Sequence, residues 1–267
     1  MKPTNEILMK KIITSLIVLL SPLAALPVHA AEAVKAIPRV SEGWRGSITP
    51  YLWLTNVSGS AYYDQTKLGS VDYRAGDLLS KLNFAGMIIG EAHHGRLGVM
   101  ADVVYSKITA EKSFVTRAAD IGSKTTLEQG IYTVAATYTL HNTNNVYIDG
   151  LAGVRVMNIS ARTNLDTADG LVSTSQSKVT TSTAPVVGVK GRVRISDSNY
   201  FIPFYLDVGA MGPATELTTQ QIIGVGRAFE WGDATIAFKN LYYKQRADNV
   251  TTNQYLYGVA AGVTFKF

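Results

Sequence analysis

The chain ends in YLYGVAAGVTFKF (255–267). Tyr255, Tyr257, Val259, Ala261, Val263, Phe265 and Phe267 occupy alternate positions, with Leu256, Gly258, Ala260, Gly262, Thr264 and Lys266 between them. One set is apolar throughout; the other is mostly small or polar. A period of two marks a β-strand with chemically different surroundings on its two faces. The alternation recurs upstream. Leu97, Val99, Ala101, Val103 and Tyr105 oppose Gly98, Met100, Asp102, Val104 and Ser106, and Ile202, Phe204, Leu206 and Val208 oppose Pro203, Tyr205, Asp207 and Gly209. Val187, Val189, Gly191, Val193 and Ile195 oppose Gly188, Lys190, Arg192 and Arg194. In each case the charges fall on the second face.

The N-terminus narrows the surroundings. Lys10 and Lys11 precede an apolar run from Ile12 to Leu20, and Val28-His29-Ala30 has the small-residue pattern of a cleavage site. This predicts a secretory signal over 1–30 that is removed, leaving 31–46 as a periplasmic segment and 47–267 as one all-β domain. Met9 is a second possible start, since MKK and the apolar run form a complete signal. There is no Cys, which excludes lipoprotein anchoring, disulfides and thiolate chemistry. A net charge of +5, with three of the basic residues and one acid before Ala31, is too mild to argue for nucleic acid. No second apolar run approaches the ~20 residues of a spanning helix, so a membrane must be crossed by strands.

Turn residues cluster at His93-His94-Gly95-Arg96, His141-Asn142-Thr143-Asn144, Ser196-Asp197-Ser198-Asn199 and Trp231-Gly232-Asp233. Between them lie longer polar stretches, chiefly Lys112 to Thr125 and Thr163 to Ser177. Short and long connections therefore alternate, as in outer-membrane barrels whose short turns face the periplasm. Strands are expected at 47–58, 83–93, 97–110, 126–140, 146–161, 178–195, 200–211, 217–230, 234–246 and 253–267. The expected fold is all-β: a transmembrane antiparallel up-and-down β-barrel of about ten strands with a short helix in the first external loop. A soluble, lipocalin-like barrel would put the apolar stripe inside; the signal, the turn rhythm and the terminal aromatic favour apolar outside. In 234–246 the stripe Ala234, Ile236, Phe238 is interrupted by Asn240, and Leu241 and Tyr243 fall out of phase, which predicts a bulge. Large side chains on both faces leave 49–54 unphased, and Pro50 belongs near a ladder end or a bulge.

The stretches TPYLWLTNVSGSAYY (49–63), DLLSKLNFAGMIIGEAHHGRLGVMADVVYSKI (77–108), LAGVRV (151–156), APVVGVKGRVRI (184–195), LDVGAMG (206–212) and the terminal strand resemble an uncharacterised family of Gram-negative outer-membrane β-barrel proteins, porin-like or surface-antigen-like. The resemblance covers nearly the whole mature chain and implies location in the outer membrane. In the family pattern an acidic residue stands at the position of Thr133, an Asp at that of Ala184 and an aromatic at that of Arg227, so the family's polar pairing is not expected there. The resemblance also implies that Val263, Phe265 and Phe267 form the terminal signal read by the barrel assembly machinery; alternatively they only fill the outward apolar band.

Catalytic chemistry finds little footing. A Ser hydrolase needs a His base beside its nucleophile, and His93, His94 and His141 all lie in or beside short turns, where they read as solvated. A lipid hydrolase is therefore a remote alternative. No catalytic residue, metal ligand or cofactor is assigned. What remains is a polar interior: Glu91, Asp102, Asp149 and Asp207 with Arg155, Lys190, Arg192 and Lys239 as partners. Either these ion pairs fill a narrow barrel with a structural or surface-interaction role, or they form the eyelet of a small porin-like channel. Ser58 to Tyr73 could form a hairpin, and Asp77, Leu78, Leu79 and Leu82 suggest a helical turn. Residues 60–82 are expected to fold over the polar lumen as a plug. The expected partners are outer-membrane lipids, lipopolysaccharide and the assembly machinery.

Overall fold

The computed structural model describes residues 36–115, 120–167, 173–212, 214–247 and 249–267. The expected signal and residues 31–35 lie outside these. The strands are β1 (Trp44–Tyr63), β2 (Thr66–Tyr73), β3 (Leu82–His94), β4 (Leu97–Val115), β5 (Asp120–Asn142), β6 (Val146–Thr167), β7 (Ser173–Arg194), β8 (Tyr200–Gly212), β9 (Thr215–Phe229), β10 (Gly232–Ala247) and β11 (Val250–Lys266), with one short helix α1 (Ala75–Leu79) between β2 and β3. Each strand from β3 to β11 pairs antiparallel with the next, and β11 pairs with β1 from Ser47↔Lys266 to Tyr63↔Val250. The result is a closed ten-stranded antiparallel up-and-down barrel. β2 stands outside the count, pairing only with the outer half of β1 through a turn at Asp64 and Gln65, both at positive φ.

The wall follows the alternation. Leu52, Leu54, Val99, Val134, Ile223 and Val259 point outward and are exposed, while Tyr51, Trp53, Met100, Asp102 and Leu256 point inward and are buried. An outward apolar band around a polar interior is the arrangement of a membrane-spanning barrel. The short connections are tight: Gly95 and Arg96 alone separate β3 from β4, with Gly95 at φ 58°. Ser41 accepts from the Gly95 amide at 3.0 Å. We refer to this as the short-turn end.

Three expectations need correction. The polar stretches 112–125 and 163–177 are mostly strand, since β4 to β7 run well past the apolar band. Their threonines hydrogen-bond across strands, Thr109 to Thr126 at 3.4 Å and Thr125 to Thr163 at 3.2 Å. Polar residues predominate in the sequence of these extensions, so the hydrophobic alternation that reveals a strand is absent there. The bulge expected at Asn240 does not exist. β10 keeps strict phase through it against both neighbours, with a shift only at Lys244/Gln245 against β9. Ile236 is 65% exposed outside and Leu241 0% inside, because the inward face itself turns from polar to apolar along the strand. The segment expected as a plug divides: β2 is exposed along its length as a hairpin with β1, while Val71, Tyr73 and the α1 region wall a space at the mouth. α1 starts at Ala75, placing Asp77 in its first turn, where a carboxylate suits the helix dipole.

Candidate functional site

The inward side chains form storeys. At the short-turn end, residues 36–41 lie across the mouth. Ala36 and Ile37 are buried, Asn142 Nδ2 donates to the Pro38 carbonyl (2.8 Å), and the Val40 amide donates to Asn142 Oδ1 (3.2 Å). Arg192 donates to the Ala36 carbonyl and to Asp233 Oδ2 (2.8 Å), whose other oxygen takes Lys266 at 2.6 Å.

Next comes a network from five strands. Lys190 of β7 bonds Glu91 of β3 at 2.5 Å and lies 3.5 Å from Asp149 of β6. Asp149 accepts from Thr139 (2.8 Å) and Tyr147 (2.9 Å), and Arg45 of β1 donates to the Tyr147 oxygen at 2.7 Å. His93 belongs here and is buried, not solvated: β3 continues to His94, so the inward phase carries His93 into the lumen, where Nε2 meets Glu91 at 3.3 Å. His94 turns outward beside Trp44, and His141 is exposed at the end of β5.

At mid-barrel two buried ion pairs join strands that are not neighbours. Lys239 of β10 meets Asp102 of β4 at 2.8 Å, and Tyr51 hydroxyl donates to Asp102 at 2.7 Å. Arg155 of β6 makes a bidentate pair with Asp207 of β8, and its remaining donors reach Thr133 (3.0 Å), Thr218 (3.2 Å) and Gln220 (3.3 Å). Tyr205 hydroxyl and the Gln220 amide complete Asp207. Arg155 and Asp207 are 0% exposed in their side chains. A buried charge this well satisfied is tolerable, whereas the same charge alone is not. Thr133 corrects the expectation from the resemblance: the hydroxyl still joins the pairing, and Arg155 takes its carboxylate from β8. Ala184 is buried, and Arg227 faces outward between the rings of Tyr200 and Phe229.

Above the ion pairs the lumen becomes apolar. Trp53, Val104, Ile131, Met157, Leu241 and Leu256 pack into one cluster. Beyond it lies a cavity of about 380 Å³ walled mainly by aliphatic side chains, including Leu78 and Leu79 of α1 and Leu82 at the start of β3. What α1 covers is thus an apolar space and not the polar lumen. At the far end Lys244 (2.6 Å) and Arg246 (3.3 Å) hold the Glu216 carboxyl below the usual carboxylate range, the Lys244 hydrogen bond contributing most.

All eight lumenal charges named from the sequence are thus paired across strands. Sequence reasoning missed Tyr51, Tyr205, Gln220, Asp233 and Lys266. The inward phase was readable for Tyr205, which shares a face with Asp207, and for Lys266, on the polar face of its strand, whereas Asp233 read as a turn residue. No metal-holding group of three or more His, Cys, Asp or Glu occurs among the described residues.

No protein-family model and no curated protein matches the chain. Among solved structures, the outer-membrane protease OmpT of Escherichia coli aligns with 85% of this chain and 98% of its own at a TM-score of 0.57 and 9% identity. Ail, the attachment invasion locus protein of Yersinia pestis, aligns with 84% of this chain and 100% of its own, but at a TM-score of 0.33 and 12% identity. At these identities the likeness is one of fold. The chain has the fold of a Gram-negative outer-membrane β-barrel, built with ten strands.

Proposed function

We propose that the protein is an integral outer-membrane barrel with a closed lumen, in a structural or surface-interaction role, its short-turn end in the periplasm and its long hairpins outside. The observation that carries this is the two enclosed ion pairs at mid-barrel, Lys239–Asp102 reaching from β10 to β4 and Arg155–Asp207 bridging over β7 from β6 to β8, which fill the lumen with side chains. Ten strands lie close to the eight-strand size at which side chains fill a barrel, and far from the ~16 of wide channels. Below these pairs, residues 36–41 occupy the mouth; above them, the apolar cluster opposes ion passage.

The barrel reconstituted in a planar bilayer should therefore show no steady conductance. Removing residues 74–81 with a short linker in their place should change nothing, because closure lies deeper. A stable, ion-selective current from the intact protein would establish the porin-like alternative instead.

A further inference from the structure

The wall has a notch. β1 pairs with β3 only from Trp44↔His94 to Pro50↔Ile88. Above Asn56 its neighbour on that side is β2, from Val57↔Tyr73 onward. Between these, Tyr51 to Asn56 have no partner on β3, and Leu82 to Met87 pair on their other side with β4 alone. Pro50, which has no N–H to give, stands where the ladder stops. Unpaired strand edges are costly in lipid and are tolerated where they line a cavity. Outward apolar side chains flank the notch on both sides, Leu52 and Leu54 on β1, Phe84 and Ile88 on β3. α1 bridges its top: the Ala75 amide donates to Asn56 Oδ1 (3.0 Å), and the Lys81 carbonyl accepts from the Thr109 amide (3.0 Å).

Behind the notch lies the apolar cavity, with Trp53 and Val57 of β1 and Ala85 and Met87 of β3 in its lining. Its volume of about 380 Å³ is ample for one alkyl chain. Two N–H groups in its wall, Trp53 Nε1 and Gln129 Nε2, are buried without an acceptor. Cavities that stay empty are lined by apolar atoms alone, and this one is not. Lys81 is the one charged residue in the lining; its ammonium sits over the Tyr73 ring at 5.9 Å.

We propose that this cavity binds a single-chain amphiphile with an anionic head, taken from the membrane through the β1/β3 notch, the chain lying in the cavity and the head at Lys81. The notch opens between residues of the outward apolar band, Leu52, Leu54, Phe84 and Ile88, which places its mouth against lipid.

The chain contains three Trp and no Cys, which makes the test clean. With Trp44→Phe and Trp231→Phe, Trp53 alone reports from the cavity wall. In phosphatidylcholine nanodiscs, a brominated dodecanoate should quench Trp53 saturably, whereas brominated phosphatidylcholine built into the disc should not. Ala85→Phe and Leu127→Phe, each checked for heat-modifiable gel migration, should abolish the saturable phase by filling the space. Lys81→Gln should weaken dodecanoate about fivefold and leave brominated dodecanol unchanged. Continuing the β1–β3 register sets position 54 opposite position 84, so a thiol-bridged Leu54→Cys/Phe84→Cys barrel should bind at least tenfold more slowly. Quenching that rises linearly with probe, or that survives both filling substitutions, overturns the site. An unchanged rate in the bridged barrel overturns the route.

Discussion

Asp207→Ala should be the most destabilising single substitution in the lumen, costing about 3–5 kcal/mol, because it leaves the Arg155 guanidinium buried with no counter-charge. Urea unfolding of the purified barrel in detergent or liposomes, followed by the fraction that keeps its compact gel migration, measures it. Three observations set the size. Both side chains are fully enclosed, the pair is bidentate, and Asp207 also fixes Tyr205 and the Gln220 amide. Replacing both partners by apolar residues of similar volume, Arg155→Met with Asp207→Leu, should recover most of the loss, since no charge is then stranded. The Lys107–Glu128 pair is the contrast. Its carboxylate and ammonium lie 2.7 Å apart, yet the side chains are 38% and 42% exposed, so Glu128→Gln should have little effect. If Asp207→Ala behaved like Glu128→Gln, the lumen would be wetter than the packing of Arg155 implies, and the closed-barrel proposal would fall with it.

The lumenal pairs do more than neutralise one another. None of the three principal contacts joins neighbouring strands: β3 is tied to β7, β4 to β10, and β6 to β8. Backbone ladders fix each strand to the next, while these pairs brace the wall across its width. Small inward residues make room for them. Gly258, Ala260 and Gly262 of β11 face the lumen beside Tyr51, whose Cβ would lie 3.0 Å from any Cβ added at Gly262.

The architecture was legible because lipid outside and polar groups inside impose a period of two on every strand that crosses the apolar band. Where that contrast fails, the sequence is silent. The extensions of β4 to β7 are rich in polar residues and lack apolar alternation, so they read as loops. Tyr51 and Trp53 inside defeat any phasing against Leu52 and Leu54 outside, and Leu241 and Tyr243 imitate a bulge. These last two cases share a cause: the interior is polar at one end and apolar at the other, and a single rule for the inward face cannot see the change. The charged residues of the lumen could be named from their phase, but not matched. Arg155 and Asp207 lie 52 positions apart on the two strands that flank β7, and the short path between Lys239 and Asp102 runs through the closing β11–β1 contact. The cavity was invisible because its walls come from β1, β2, β3, β4, β5, β11 and α1 at once.

Phe267→Ser should lower the amount of folded barrel in the outer membrane severalfold, and Tyr255→Ser should not, although both side chains lie on one outward stripe. Packing alone predicts the opposite order. Tyr255 packs against the tilted ring of Tyr242 at a centroid distance of 4.5 Å, whereas Phe267 is 73% exposed. Closure does not depend on the Phe267 ring either: its backbone exchanges two hydrogen bonds with Gly46, at 2.7 and 3.0 Å, which a serine keeps. The ring is laid over Gly46, where an added Cβ would come within 2.4 Å of it, so β1 leaves the terminal aromatic free at the rim. A side chain that contributes little to packing yet ends the stripe suits recognition by the assembly machinery before the barrel closes. Refolding of the purified variants into detergent separates the two causes. Both should refold in vitro, and only Phe267→Ser should fail to accumulate in cells. Equal, minor losses in cells would reduce Phe267 to one more residue of the apolar band.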